Sequence, residues 1–216
     1  RSTLFPYTTL FRSGRRIRTI KTFGLGYAAD QWREACQYLT ARQFKIDDIV
    51  DSGVEIKNDR GRFYDRFRNR LMIPIQNTRD KIIGFGGRIL SNEEHGPKYL
   101  NSPESLIFSK GTELFNLNRA KKNIVDNQLV VVEGYMDVIA LYQRGVKNTV
   151  AALGTAFTSQ HAKLLSRYVD EIILCFDGDQ AGENATNKAI AILKNSPLKI
   201  KVVRLNAEDE IGRAHV

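Results

Sequence analysis

The sequence predicts two parts in series, a basic α+β N-terminal subdomain followed by an α/β subdomain with a mainly parallel sheet. Three observations predict this. From Leu129 onward, short apolar runs alternate with helix-like stretches, the pattern of a parallel sheet covered by helices. Before that, from about Gly14 to Asn127, the chain is basic, rich in aromatic residues and broken by Gly, Pro and Asn. The whole is 216 residues long, 42% hydrophobic and 26% charged, enough for one or two packed domains, which excludes a disordered tail or a small stapled scaffold.

Taken in order, the basic half carries helical patches at Ala29 to Arg42 and Asp47 to Asp51, and strand-like pieces at Asp65 to Gln76 and Lys81 to Leu90. The second half reads as strand Leu129 to Glu133, helix Val138 to Arg144, strand Asn148 to Ala152, helix Ser159 to Tyr168, strand Glu171 to Phe176, helix Ala181 to Lys194 and strand Lys199 to Leu205. The expected subdomains are therefore 14–127 and 128–209. The two ends stand apart. Thr3 to Ser13, TLFPYTTLFRS, reads like the conceptual translation of a short-read sequencing adapter, and Ile211 to Val216, IGRAHV, like its companion in another frame. Residues 1–13 and 210–216 are accordingly expected to be adapter-derived, leaving an authentic core that is still basic.

Thirty-three Lys and Arg against 24 Asp and Glu give a net charge of +9, which favours a polyanionic partner, nucleic acid or an anionic surface. The longest apolar runs, such as Ile172 to Phe176 and Leu129 to Val132, are strand-length, far short of the roughly 20 residues of a membrane span. No membrane partner is expected. Two cysteines, Cys36 and Cys175, are too few for a disulfide framework or a Cys-rich zinc site, and a reducing cytoplasm is the simplest compartment. His95 and His161 have no metal-ligand spacing to each other and His215 falls in the adapter-like end, so no histidine metal site is expected.

Active groups of parallel sheets collect at the carboxyl ends of the strands. Here the first strand ends in Glu133-Gly134 and the third in Asp177-Gly178-Asp179. Carboxylates at the ends of two apolar strands repel one another unless a cation lies between them, and Mg²⁺, with its preference for oxygen ligands and substrate phosphates, fits that need. Asp177 and Asp179, two apart, share a side if the strand stays extended. Asp137, four residues past Glu133, either reaches back to the same site from the next helix or serves as a favourable first-turn charge. An isolated Asp-Gly-Asp would be an ordinary turn; the conjunction with Glu133 favours a metal centre.

In the basic half, Arg66, Arg68 and Arg70 alternate with other residues, so on a strand they share one face as a phosphate track, the alternative being a solvated edge, which suits Arg66 best. Gly84, Gly86 and Gly87 surround Phe85 as a phosphate approach or a bulge, with Arg88 the better functional candidate. Tyr99, Asn101 and Ser102 either hydrogen-bond a sugar or base or form an Asn-Ser-Pro turn.

The segments VVVEGYMDVIAL at Val130 to Leu141, AALGTAFT at Ala151 to Thr158 and IILCFDGDQAGENA at Ile172 to Ala185 resemble the Toprim domain of bacterial DnaG-type DNA primases. FGLGYA at Phe23 to Ala28 with Trp32, YDRFRNRLMIPI from Tyr64, IIGFGGRIL from Ile82, PKYLNSPES from Pro97 and FSKGTELF from Phe108 resemble the primase core. The resemblance implies template-directed synthesis of short RNA primers on single-stranded DNA from ribonucleoside triphosphates. It implies catalytic acids Glu133, Asp137, Asp177 and Asp179, metal ligands Glu133, Asp177, Asp179 and Asp209, and Mg²⁺ as the metal, with Mn²⁺ able to take its place. It also implies that Arg68, Arg70, Lys98 and Lys110 line the groove where template and nucleotide meet; Arg88, Tyr99 and Asn101, read from the residues themselves, join them as candidate nucleic-acid or nucleotide contacts. In the full-length protein it implies a replicative helicase and a single-strand-binding protein as partners, at the bacterial replisome. The zinc module of such primases is not among these residues, so no zinc is expected. Two alternatives remain at this point: a Toprim nuclease or topoisomerase fragment, for which Tyr135 is the only adjacent hydroxyl aromatic, and a non-catalytic single-stranded-DNA-binding module.

Overall fold

The structure, a computed structural model, describes residues 17–90 and 96–205. The expected adapter-derived ends, His95, Asp209 and His215 lie outside the described residues. The described chain packs as two compact units. One runs to Ile75 and includes Ile82–Phe108; the other takes Gln76–Lys81 and continues from Ser109.

The first unit opens with helix α1 (Ile17–Phe23) and strand β1 (Gly26–Ala28), followed by helices α2 (Glu34–Thr40) and α3 (Ile46–Asp51). Strands β2 (Glu55–Lys57) and β3 (Phe63–Asp65) form a two-stranded antiparallel ribbon. Its turn is held by Asn58 Oδ1, which accepts from the amides of Arg60 at 3.0 Å and Arg62 at 2.9 Å. Strands β4 (Arg70–Gln76), β5 (Ile82–Ile89) and β6 (Tyr99–Asn101) join β1 in a sheet of order β1-β4-β5-β6. β4 alternates as a half-buried strand should, with Leu71, Ile73 and Ile75 at 1% exposure or less.

Two expectations for this unit are corrected. The helix expected from Ala29 starts only at Glu34, because Asp65 supplies its N-terminal hydrogen bonds from another element: Oδ2 accepts from the Ala35 amide at 2.7 Å and Oδ1 from Cys36 at 3.1 Å. The strand expected over Asp65 to Gln76 is interrupted. Residues 66–69 lie between β3 and β4, with Asn69 in the left-handed region at φ 46°, so the three arginines do not share one strand face.

The ribbon places Glu55 directly opposite Asp65, and both are 3% exposed. Asp65 is satisfied by backbone amides, whereas among the described residues neither carboxylate oxygen of Glu55 finds a hydrogen-bond partner. Burial pushes the Glu55 carboxyl up, and the neighbouring Asp65 charge adds to it. A group that holds its proton more tightly when folded stabilises at low pH and loses that contribution as pH rises from the ordinary carboxylate range through its folded value. Glu55→Gln is therefore expected to stabilise the chain by about 1–2 kcal/mol at pH 8 and to flatten the pH dependence, since an amide can donate to Asp65. Thermal unfolding at pH 5 and pH 8 checks this; a variant less stable than the parent at pH 8 contradicts it.

The second unit contains helix α4 (Leu117–Ala120), then β7 (Gln128–Val132), α5 (Tyr135–Gln143), β8 (Thr149–Ala151), α6 (Ser159–Leu165), β9 (Glu171–Cys175), α7 (Gln180–Leu193) and β10 (Lys199–Val203). The sheet order is β10-β9-β7-β8, and every pairing within it is parallel. Leu129, Val131, Val150, Ile172 and Leu174 fill its core together with Leu165, Ala189 and Leu193 from the helices. From β7 onward each element lies within a few residues of its expected position, while the short helix α4 is not among those expected. His161 is fully buried in the first turn of α6. Its Nδ1 accepts from the Thr158 amide at 3.2 Å and its Nε2 donates to the Lys110 carbonyl at 3.0 Å, a structural role for a neutral ring that burial keeps below its ordinary pKa.

Candidate active site and nucleic-acid interface

Strand order fixes where the acids go. The chain steps from β7 outward to β8, then returns to β9 on the other side of β7, so the crossing direction reverses between β7 and β9. Such a reversal opens a crevice at the carboxyl edge, where ligands of parallel sheets bind. Glu133 follows β7 and Asp177 follows β9, which brings them to the two lips of that crevice. Glu133 Oε1 accepts from the Asp177 amide at 3.0 Å, so the two strand ends are tied directly.

Burial pushes the Glu133 carboxyl up, opposed by that amide hydrogen bond, and the charges of Asp177 and Asp179 push it further. Both aspartates therefore act on Glu133. Asp179 is not a strand residue: it caps α7, with Oδ1 accepting from the Gly182 amide at 2.8 Å. Asp137 sits in the first turn of α5, where Oδ2 accepts from the Gly134 amide at 3.0 Å, the helix-start role that its spacing also allowed. Among the described residues no three His, Cys, Asp or Glu side chains close around one point as a finished metal cage. Glu133 and Asp177 follow neighbouring strands, and Asp179 and Asp137 start the helices after them; Glu133, Asp137 and Asp179 each have an oxygen held by a backbone amide, an all-oxygen donor set whose mutual repulsion a divalent cation would relieve.

Gly182, which the sequence alone did not single out, decides how close these groups come. A Cβ there would lie 2.1 Å from the Asp177 carbonyl oxygen and 2.7 Å from Glu133 Oε1. Only a residue without a side chain lets α7 start against the Asp177 backbone. The signal was present as the small residue in the first turn after Asp-Gly-Asp. Tyr135 is 3% exposed, its ring edge-on to Phe115 at 5.1 Å. A buried tyrosine does not suit attack on a phosphodiester.

The first unit carries the cations. Arg68 lays its guanidinium over the Trp32 ring at 3.6 Å, with Tyr64 at 5.6 Å, and Trp32 remains 64% exposed. An exposed aromatic stacked with arginine is a surface suited to unpaired bases. Arg88 and Tyr99 face each other across β5 and β6, with the guanidinium 5.9 Å from the ring centre. Lys98 is exposed, and Arg66 Nε donates to the Asn101 carbonyl at 3.1 Å. Lys110 belongs to the second unit, half-buried, its carbonyl engaged by His161. Arg70 departs from the expected exposed track: it is 6% exposed and donates from Nη1 to the Pro97 carbonyl at 2.9 Å.

Carboxylates at the ends of adjacent parallel strands in this order define the second unit as a Toprim domain. Residues 127–204 match that domain family, and residues 8–121 match the DNA primase catalytic core, N-terminal domain. The chain belongs to the DnaG-type DNA primase family. It is 43% identical over 192 residues to a DNA primase of Clostridium acetobutylicum, covering 89% of this chain and 32% of that protein. It thus spans about a third of the length of that curated relative. The crystal structure of a DNA primase domain from Pseudomonas aeruginosa superposes with a TM-score of 0.87 at 37% identity, covering 99% of this chain and 68% of that one. A DnaG primase catalytic domain bound to single-stranded DNA superposes with a TM-score of 0.84 at 38% identity, covering 96% and 66%.

Proposed function

We propose that the chain performs the chemistry of a primase core: joining ribonucleoside triphosphates into short RNA on a single-stranded DNA template. The observation that carries this reading is the meeting of Glu133 and Asp177 across the β7 and β9 strand ends, with the charge of Asp179 acting on the same group. Glu133, Asp177 and Asp179 would hold Mg²⁺ or Mn²⁺, with Asp209, outside the described residues, as a further ligand. The metal supplies activation of the attacking 3′ hydroxyl and charge neutralisation of the leaving pyrophosphate. The protein's own share is positional. Amides at Asp177, Gly182 and Gly134 fix the carboxylates of Glu133, Asp179 and Asp137 in turn, and the Arg68, Trp32 and Lys98 surface takes the template through stacking and phosphate contacts. Helicase and single-strand-binding protein are the proposed partners of the full-length protein, on replicating DNA in the cytoplasm. Among the described residues no helix is long and apolar enough to cross a membrane.

Magnesium-dependent incubation of the chain with labelled single-stranded DNA, a short annealed primer and ribonucleoside triphosphates tests the reading. Lengthened primer is expected. Shortened DNA would mark a nuclease, and unchanged DNA under tight binding would mark a non-catalytic module. The buried Tyr135 argues against the topoisomerase alternative.

A further inference from the structure

Strand β6 is only three residues long, yet it and the residue before it bear Lys98, Tyr99 and Asn101. So short an edge strand needs support beyond its own ladder. Two guanidinium groups supply it. Arg66 Nε donates to the Asn101 carbonyl at one end at 3.1 Å, and Arg70 Nη1 donates to the Pro97 carbonyl at the other at 2.9 Å. Arg70 also points Nη1 at the Gly87 carbonyl on β5 at 3.4 Å, and Gly87 is the register partner of Leu100 on β6.

The slot that holds Arg70 depends on the missing side chain of Gly87. A Cβ there would fall 3.0 Å from Arg70 Cδ and 2.9 Å from Phe67 Cδ1, whereas a Cβ on Gly96 would make only ordinary contact, 3.5 Å, with Arg70 Nη2. At its own backbone Arg70 pairs with Ala28 of β1, so its side chain links the far side of the sheet to the approach of β6. A guanidinium that is 6% exposed and committed to carbonyl oxygens is poorly placed to neutralise a solvated phosphate, whereas its planar fork suits carbonyls on neighbouring strands.

We propose that Arg70 is a positioning residue for nucleic-acid binding: it seats the Pro97–Asn101 segment so that Lys98, Tyr99 and Asn101 meet the strand, and it does not itself touch phosphate. This rests on the nucleic-acid reading of the first unit given above. Binding of the full chain to fluorescein-labelled single-stranded DNA, followed across a range of salt concentrations, separates the two roles. Removing one cation that neutralises a phosphate lowers the log-log salt slope by about 0.7 on single strands. Arg70→Ala and Arg70→Lys are both expected to weaken binding about tenfold at every salt concentration with the slope unchanged, since a lysine keeps the charge but not the fork. Lys98→Ala is expected to lower the slope. Methylguanidinium at constant ionic strength is expected to restore affinity to Arg70→Ala, by refilling the slot, and not to Lys98→Ala. Should Arg70→Ala fail to fold, Arg70→Lys decides. A slope lowered by about 0.7 in either Arg70 variant, or wild-type affinity in Arg70→Lys, would overturn the proposal. Unchanged affinity and slope in both Lys98→Ala and Arg68→Ala would instead overturn the nucleic-acid reading on which it rests.

Discussion

Glu133→Gln and Asp177→Asn should each abolish manganese-dependent nucleotide binding while leaving the chain folded. Replacing even an outer partner of a metal ligand commonly costs 10–100-fold in affinity, so removal of a ligand should cost roughly 100-fold or more. The same changes should not harm the metal-free protein. Burial, with the charges of Asp177 and Asp179 behind it, pushes the Glu133 carboxyl up, so its ionised form is the costly one when folded. That cost grows as pH rises from the ordinary carboxylate range through the folded value, and it stands in full above that value. The side-chain amide introduced by Glu133→Gln keeps an oxygen that can accept from the Asp177 backbone N–H, so metal-free stability at pH 8 should be unchanged or improved. Calorimetry with Mn²⁺ and ATP, alongside thermal unfolding without metal, measures both effects. Undiminished metal-dependent affinity in both variants would remove Glu133 and Asp177 from the site.

Gly182→Ala should destabilise the second unit strongly for a single added methyl. The added carbon would meet a backbone oxygen at 2.1 Å, which cannot rotate away as a side-chain tip could, so α7 or the Asp177 turn must shift. Overpacking of this kind costs about 1–3 kcal/mol, and a backbone clash puts this position at the upper end. Because the shift separates Asp177 from Glu133 and moves the amide that Asp179 caps, manganese affinity should fall about tenfold as well. Asn187→Ala, on the exposed face of the same helix, serves as the comparison and should stay within about 0.5 kcal/mol of the parent. Urea unfolding of the three proteins reads the first effect and manganese titration the second. A Gly182→Ala protein as stable and as manganese-competent as the parent would mean that the close approach at α7 does not matter.

The parallel-sheet half was legible because its strands are buried on both faces. Runs such as Leu129–Val132 and Ile172–Cys175 announce themselves without knowledge of any partner. The strand-end position of Glu133 and Asp177 followed directly from those runs. In the basic half the deciding interactions come from elsewhere in the chain. The start of α2 is set by Asp65, some 30 residues away, and the ribbon of β2 and β3 is too short to show a period. The alternation of Arg66, Arg68 and Arg70 failed as a strand pattern because Asn69 turns left-handed between them. The burial of Arg70 depends on Gly87, whose missing side chain forms the slot only after β5 is in place beside β4. Asp137 illustrates a different limit: its spacing allowed both a site acid and a helix cap, and only the folded turn shows Oδ2 taken by the Gly134 amide.

On the proposed function, Glu133, Asp177 and Asp179 would hold the divalent cation that serves a bound nucleotide. Anomalous diffraction at the manganese edge, from crystals of the full chain grown with Mn²⁺ and a ribonucleoside triphosphate, addresses it directly. Anomalous density bounded by Glu133, Asp177 and Asp179 and touching the triphosphate is the expected result. Manganese bound away from these three carboxylates, or a nucleotide bound without manganese there, would contradict it.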